Sequence, residues 1–129
     1  MSELSLKEFF QARAGKRTYK KVTIDGRDIW LQSLTANEKT DIRMKWKDDK
    51  GDDTRPDAMK ARRALTTCLS IVDKEGGSPI FTGADDEIAM FGQQNGAEAE
   101  VIDQTINDLS YTGVAALAKK SNPATASGS

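Results

Sequence analysis

No histidine occurs among the 129 residues, and there is a single cysteine, Cys68. The missing imidazole removes the commonest general base and a common zinc ligand. One thiol without a histidine cannot assemble a structural zinc site, nor can it close an internal disulfide. Aromatic residues make up only 6%, so the core must be small and mostly aliphatic. No run of about 18 apolar residues is present and no secretory leader pattern is found, so a soluble, cytosolic setting without membrane contact is expected. A phosphate loop is missing too, because Gly76-Gly77 lies in an acidic turn without the Gly-Lys-Ser/Thr ending. Counted from Asp73 as a calcium loop, Ser78 stands where glycine is required and Ala84 where glutamate is required. Asp85, Asp86 and Glu87 fall in the first turn of a helix, where they offset its dipole rather than converge in a hydrolytic pocket. No catalytic, cofactor-binding or metal-binding residue is assigned, no cofactor is expected, and the chain is not read as an enzyme.

Charge is plentiful but divided. Charged residues are 30% of the chain and the net charge is -1. Residues 1–50 hold twelve Lys and Arg against eight Asp and Glu, whereas residues 51–129 hold seven against twelve. From Asp73 to Asp108 Lys74 is the one basic residue among nine acidic ones. A molecule polarised in this way suits head-to-tail self-association, or a partner with a basic face. Nucleic-acid binding is disfavoured: Lys16, Arg17, Lys20 and Lys21 form the one candidate patch, and a solvated face explains them. A DNA mobility shift that disappears with salt would be needed to revive that reading.

The central stretch, residues 61–90, reads as helix, turn, helix. Ala61, Leu65, Cys68 and Val72 share one helical face, and Cys68 is expected to be an inert buried thiol. Gly76, Gly77 and Pro79 break the helix into a hairpin-like turn. Ile80 and Phe81 should then return an apolar pair to the core, with Thr82 as the next N-cap and Asp85 beside it.

Ahead of this stretch, residues 4–15 carry a helix signature: a Ser5–Glu8 capping box, Leu4 and Phe9 at staple positions, and Gly15 as the stop. The adjacent Phe9 and Phe10 must pack either on the chain's own core or on a neighbouring subunit or client. Residues 19–32 read as a β-hairpin turning at Asp25-Gly26, which sets Val22 opposite Ile29. Val22, Ile24, Ile29 and Leu31 then form the buried face, and Tyr19, Lys21, Thr23, Asp28, Trp30 and Gln32 the other. Trp30 is either covered by the first helix or offered to a partner. Thr35 and Glu38 form a second capping box, for a helix that buries Ile42 and Trp46 and turns Met44 away. Residues 47–53 read as a charged loop rather than a metal site. Pro56 suits the first turn of the central helix, with Asp57 complementing its dipole. Asn95 and Glu98 cap a last helix that buries Ile102, Ile106, Leu109 and Gly113, with a kinked continuation expected through Tyr111 to Lys120 because Ser110, Thr112 and Gly113 are weak helix formers. The expected fold is α+β: a mostly helical single domain over residues 1–120 with one N-terminal β-hairpin and four to five helices, then a flexible tail, 121–129.

The order of these parts resembles the tail assembly chaperones of long-tailed bacteriophages. The resemblance is carried by the hairpin followed by Leu34-Thr35-Ala36, the segment CLSIVDKEGGSPIF, the acidic Asp85-Asp86-Glu87 helix start, and the closing VIDQTINDLS helix. It covers the chain from about Val22 to Leu109. The resemblance implies a non-enzymatic assembly factor in the host cytoplasm, absent from the finished virion. Such a factor binds the tape measure protein, helps the tail-tube protein assemble around it, and commonly acts as a homo-oligomer. Phe9, Phe10 and Trp30 are the candidate partner-binding residues. The rival reading is a structural virion component, a tail-tube or head–tail joining subunit, for which one hairpin is little β-structure. The resemblance further implies a backward ribosomal slip near the end of the reading frame. Ala118-Lys119-Lys120 is a peptide that the heptamer A AAA AAG could encode, although two lysines also suit a helix C-terminus. The codons of the gene decide between the two.

Overall fold

The computed structural model describes the backbone of residues 3–121 and the side chains of residues 5–109. In chain order the elements are α1 (Glu3–Arg13), β1 (Tyr19–Ile24), β2 (Arg27–Gln32), α2 (Ala36–Met44), α3 (Ala58–Ser70), β3 (Ile71–Val72), α4 (Asp85–Gly92) and α5 (Gly96–Ser121). The fold is mixed α+β, with five helices and a three-stranded antiparallel sheet in the order β1-β2-β3 among the described residues. The expected tail lies outside the described residues, apart from Ser121, which ends α5.

The hairpin has the expected register, with Val22 opposite Ile29 and Ile24 opposite Arg27. Asp25 (φ 51°) and Gly26 (φ 78°) both take left-handed backbone, which is what a two-residue turn of this twist requires. Leu31, Ile71 and Ile102 form a buried cluster, and Val22, Ile24, Ile29, Phe81, Phe91, Ile106 and Leu109 pack against it. The expected buried face of the hairpin is therefore the one that α5 covers. Gly113 of the expected α5 stripe lies beyond the residues whose side chains are described.

The third strand was not anticipated. The central helix stops at Ser70, and Ile71 and Val72 pair with Leu31 and Trp30 of β2. Two consecutive β-branched residues lose rotamer freedom in a helix, and the open edge of β2 offers them hydrogen-bond partners. The chain then turns tightly: Asp73 Oδ1 accepts from the Ser78 amide at 3.0 Å, and Val72 bridges to Pro79. Alternation along this returning stretch turns Phe81 inward and leaves Ile80 exposed, so the expected apolar pair is split. Gln32, expected on the polar face, is 2% exposed; its Nε2 donates to the Leu69 carbonyl at 2.9 Å. That bond satisfies one of the carbonyls left open at the end of α3.

Several helix ends also differ from expectation. α1 already includes Glu3, so Ser5 lies inside the helix and is not its cap. Trp46 lies beyond α2 with φ 62° and packs beside Ala61, Ala64 and Ile88, with the Arg55 guanidinium 4.7 Å from its ring centre. Pro56 sits in the turn before α3, and Asp57 makes no cap bond because its carboxylate pairs with Arg55. α4 begins after Ala84, not at Thr82. Glu87 reaches back, and its Oε1 accepts from the amides of Thr82, Gly83 and Ala84 at 3.0, 2.9 and 3.1 Å. Burial opposes the charge on Glu87, but these amides outweigh it and hold its pKa below the usual value. By contrast the Thr35–Glu38 capping box of α2 and the Asn95 cap of α5 stand as expected. α3 buries Ala61, Leu65 and Cys68 as expected, together with Ala58, Ala64, Thr67 and Ser70.

Candidate functional site

Between the turn end of the hairpin and helices α4 and α5 lies an open groove of about 670 Å³. Ile24 and Ile29 reach it from the hairpin, Ile71 from β3, Ile80 and Phe81 from the returning strand, Met90 and Phe91 from α4, and Ile102 from α5. Phe81 and Phe91 meet edge to face, with ring centres 4.9 Å apart, and so fix the wall between sheet and helices. Ile80 and Met90 stand at its mouth, 55% and 42% exposed. These side chains are held there by the sheet pairing and by the Glu87 cap, which sets the start of α4.

Charge around the groove has one dominant sign. Among the described residues Asp25, Asp28, Asp73 and Glu98 line it, against Arg27 alone. Asp28 is partly engaged, accepting from Thr23 Oγ1 at 2.8 Å and lying 3.7 Å from Lys21. An apolar trough bordered by carboxylates can bury a row of apolar side chains and attract basic residues beside them. No Ser, Thr or Cys among the described residues lines it; Cys68 is fully buried, and burial, with Glu87 nearby, raises its pKa to about 11. Among the described residues no group of three acidic or cysteine side chains is placed to hold a metal ion. The acidic loop 47–53 instead closes on itself. Asp48 Oδ1 accepts from the amides of Lys50 and Asp52, while Asp53 pairs with Arg62 and Lys47. No helix is long and apolar enough to cross a membrane, among the described residues.

The residues singled out in the sequence occupy three different settings. Phe9 and Phe10 are exposed on α1, edge to face at 5.3 Å, with Arg13 over the Phe9 ring. Neither packs in the core clusters described above. Trp30 is half-buried and does not line the groove; it lies between Lys21 and Val72 on the neighbouring strands. The proposed basic patch is largely engaged. Arg17 grips Glu38 with two bonds of 2.7 and 2.9 Å, Lys20 lies 3.5 Å from Asp108, and Lys21 pairs with Asp28. The Arg17 contact, aided by backbone bonds from Thr35 and opposed by partial burial, lowers the Glu38 pKa to about 2.

Sequence reasoning missed the groove itself. Its one available signal was Met90 near the end of an acidic helix, with no apolar partner at i±3 or i±4. No protein-family model, curated protein or solved structure matches the chain.

Proposed function

We propose that the chain is a non-enzymatic tail assembly chaperone of a long-tailed bacteriophage, which binds the tape measure protein and assists assembly of the tail tube around it. The observation that supports this reading is the apolar groove with its acidic surround. A tape measure protein is a long helical client with exposed apolar stripes. One turn or two of such a stripe matches a trough of about 670 Å³, within the usual range for a small binding cleft. The excess of carboxylates would favour clients whose stripe is bordered by Lys and Arg. The ion pairing of Arg17, Lys20 and Lys21 supports a protein client over a nucleic acid. Phe9, Phe10 and Trp30 are further candidate contacts for client, tube protein or neighbouring subunit.

The experiment is co-expression with a tape measure protein from the same genome. Retention of that protein in the soluble fraction, together with the chain, is the expected result. Finding the chain as a stoichiometric part of purified virions would instead favour a structural subunit.

A further inference from the structure

We propose that the groove of one copy receives helix α1 of a second copy, so that the chain assembles head to tail. Leu6, Phe9 and Phe10 are 45%, 44% and 66% exposed. Their spacing, with Arg13 one turn on, is that of a helix laid into a groove. On that helix Arg13 joins the apolar face and Lys7 borders it, against Glu3 three residues before Leu6, whereas Glu8 falls on the opposite side. An apolar helix stripe that carries Arg13 and a carboxylate-lined apolar trough match in shape and, at Arg13, in charge.

The tether decides that the helix comes from another copy. Arg17 is held by Glu38 and the Ser33 carbonyl, and Thr18 exchanges hydrogen bonds with Ser33. These contacts fix the start of β1 at the end of the hairpin away from its turn. Only Ala14, Gly15 and Lys16 lie between that anchor and α1; the Ala14 and Lys16 amides donate back to Phe10, Gln11 and Arg13 of α1, and even fully extended the three residues would span at most about 10 Å. The groove opens at the turn end, and β1, six residues long, measures roughly 17 Å. To arrive in its own groove α1 would have to run back along the hairpin, through the space α5 occupies. Ile102 of α5 lines the groove, and Asp108 reaches Lys20 near the start of β1. A neighbour's α1 meets no such obstacle. Because the two surfaces differ, each copy keeps one free helix and one free groove, and the contact can repeat.

This inference stands on the chain alone and does not need the tape measure protein. Its test uses two full-length variants, each altered at exposed side chains. One, Phe9→Ala with Phe10→Ala, lacks the donor helix face; the other, Met90→Glu, lacks the acceptor groove. Light scattering should give a mass that rises with concentration for the unaltered chain, and a monomer for each variant alone. Mixed in equal amounts, the variants should form a dimer and nothing larger, since one sound helix meets one sound groove. A circular dichroism melt confirms that each variant is folded, and Ile80→Glu replaces Met90→Glu if the latter is not. An unaltered chain that is monomeric at every concentration would overturn the proposal. So would oligomers that persist in both variants, which would place the contact elsewhere, or a mixture that stays monomeric.

Discussion

Replacing Gly83 with alanine imposes two separate costs, and a second substitution can tell them apart. Gly83 has φ +87°, and a Cβ there would press on Cδ1 of Leu65, well inside van der Waals contact. The left-handed backbone alone costs an alanine about 1–2 kcal/mol. Leu65 is only 7% exposed and cannot swing into solvent, so forcing the extra carbon against it adds about 1–3 kcal/mol. Leu65→Ala, which empties part of the core, should cost about 2–5 kcal/mol by itself. In the double variant the space left by Leu65 accepts the new methyl group. The loss should then fall short of the sum of the single losses by about 1–3 kcal/mol. Urea unfolding followed by circular dichroism measures all four chains against a total stability of about 5–15 kcal/mol for a domain of this kind. Strict additivity, or a Gly83→Ala variant as stable as the original, would refute the contact between the α4 entry loop and α3.

Other predictions follow from single contacts. Glu38 titrates below its unfolded value, so its pairing with Arg17 stabilises the fold above about pH 4.5 and is lost as pH falls toward about 2. Because the pair is partly solvated, Glu38→Gln should cost about 1 kcal/mol at neutral pH. The difference from the unaltered chain should close across that acid window, and a difference independent of pH would exclude the ion pair as its source. In the loop 47–53, Asp49→Ala should be neutral within about 0.5 kcal/mol, whereas Asp48→Ala, which removes the acceptor of two loop amides, should cost about 1 kcal/mol. Equal effects would show that the loop is not closed as described. Cys68 should react with a thiol reagent at pH 8 only as fast as the chain unfolds, given its burial and raised pKa. Rapid labelling of folded protein would place it elsewhere. If client and α1 share the groove, adding a tape measure helix should lower the mass of the self-assembled chain; an unchanged mass with client bound would separate the two sites.

The hairpin was legible because Asp25-Gly26 fixes a register by local turn chemistry, with no help from distant residues. The Thr35 and Asn95 caps were legible for the same reason: donor and acceptor lie within one helical turn. What escaped depends on parts far apart in the chain. Ile71 and Val72 become a strand because β2, some forty residues earlier, presents an open edge, and helical periodicity cannot register that. Gln32 is buried because it ends α3, a role that no pattern around residue 32 reveals. Thr82 looked like a cap because cap residues are short and polar, but the amides at the α4 entry are satisfied by Glu87 reaching backward. The groove is assembled from five segments, so only the fold brings Ile24, Phe81, Met90 and Ile102 together. Phe9 and Phe10 were recognised as residues in need of a partner, and the partner surface became visible only with the groove.

The chaperone reading is tested most directly by the fate of the tape measure protein in cells that also make this chain. Soluble and insoluble fractions are compared for the unaltered chain, the groove variant Met90→Glu and a variant lacking residues 1–15. The account predicts that the unaltered chain and the truncated one keep the tape measure protein soluble and co-purify with it, and that the groove variant loses both effects. A tape measure protein that is equally insoluble with and without the unaltered chain, or that is rescued equally well by Met90→Glu, would contradict it.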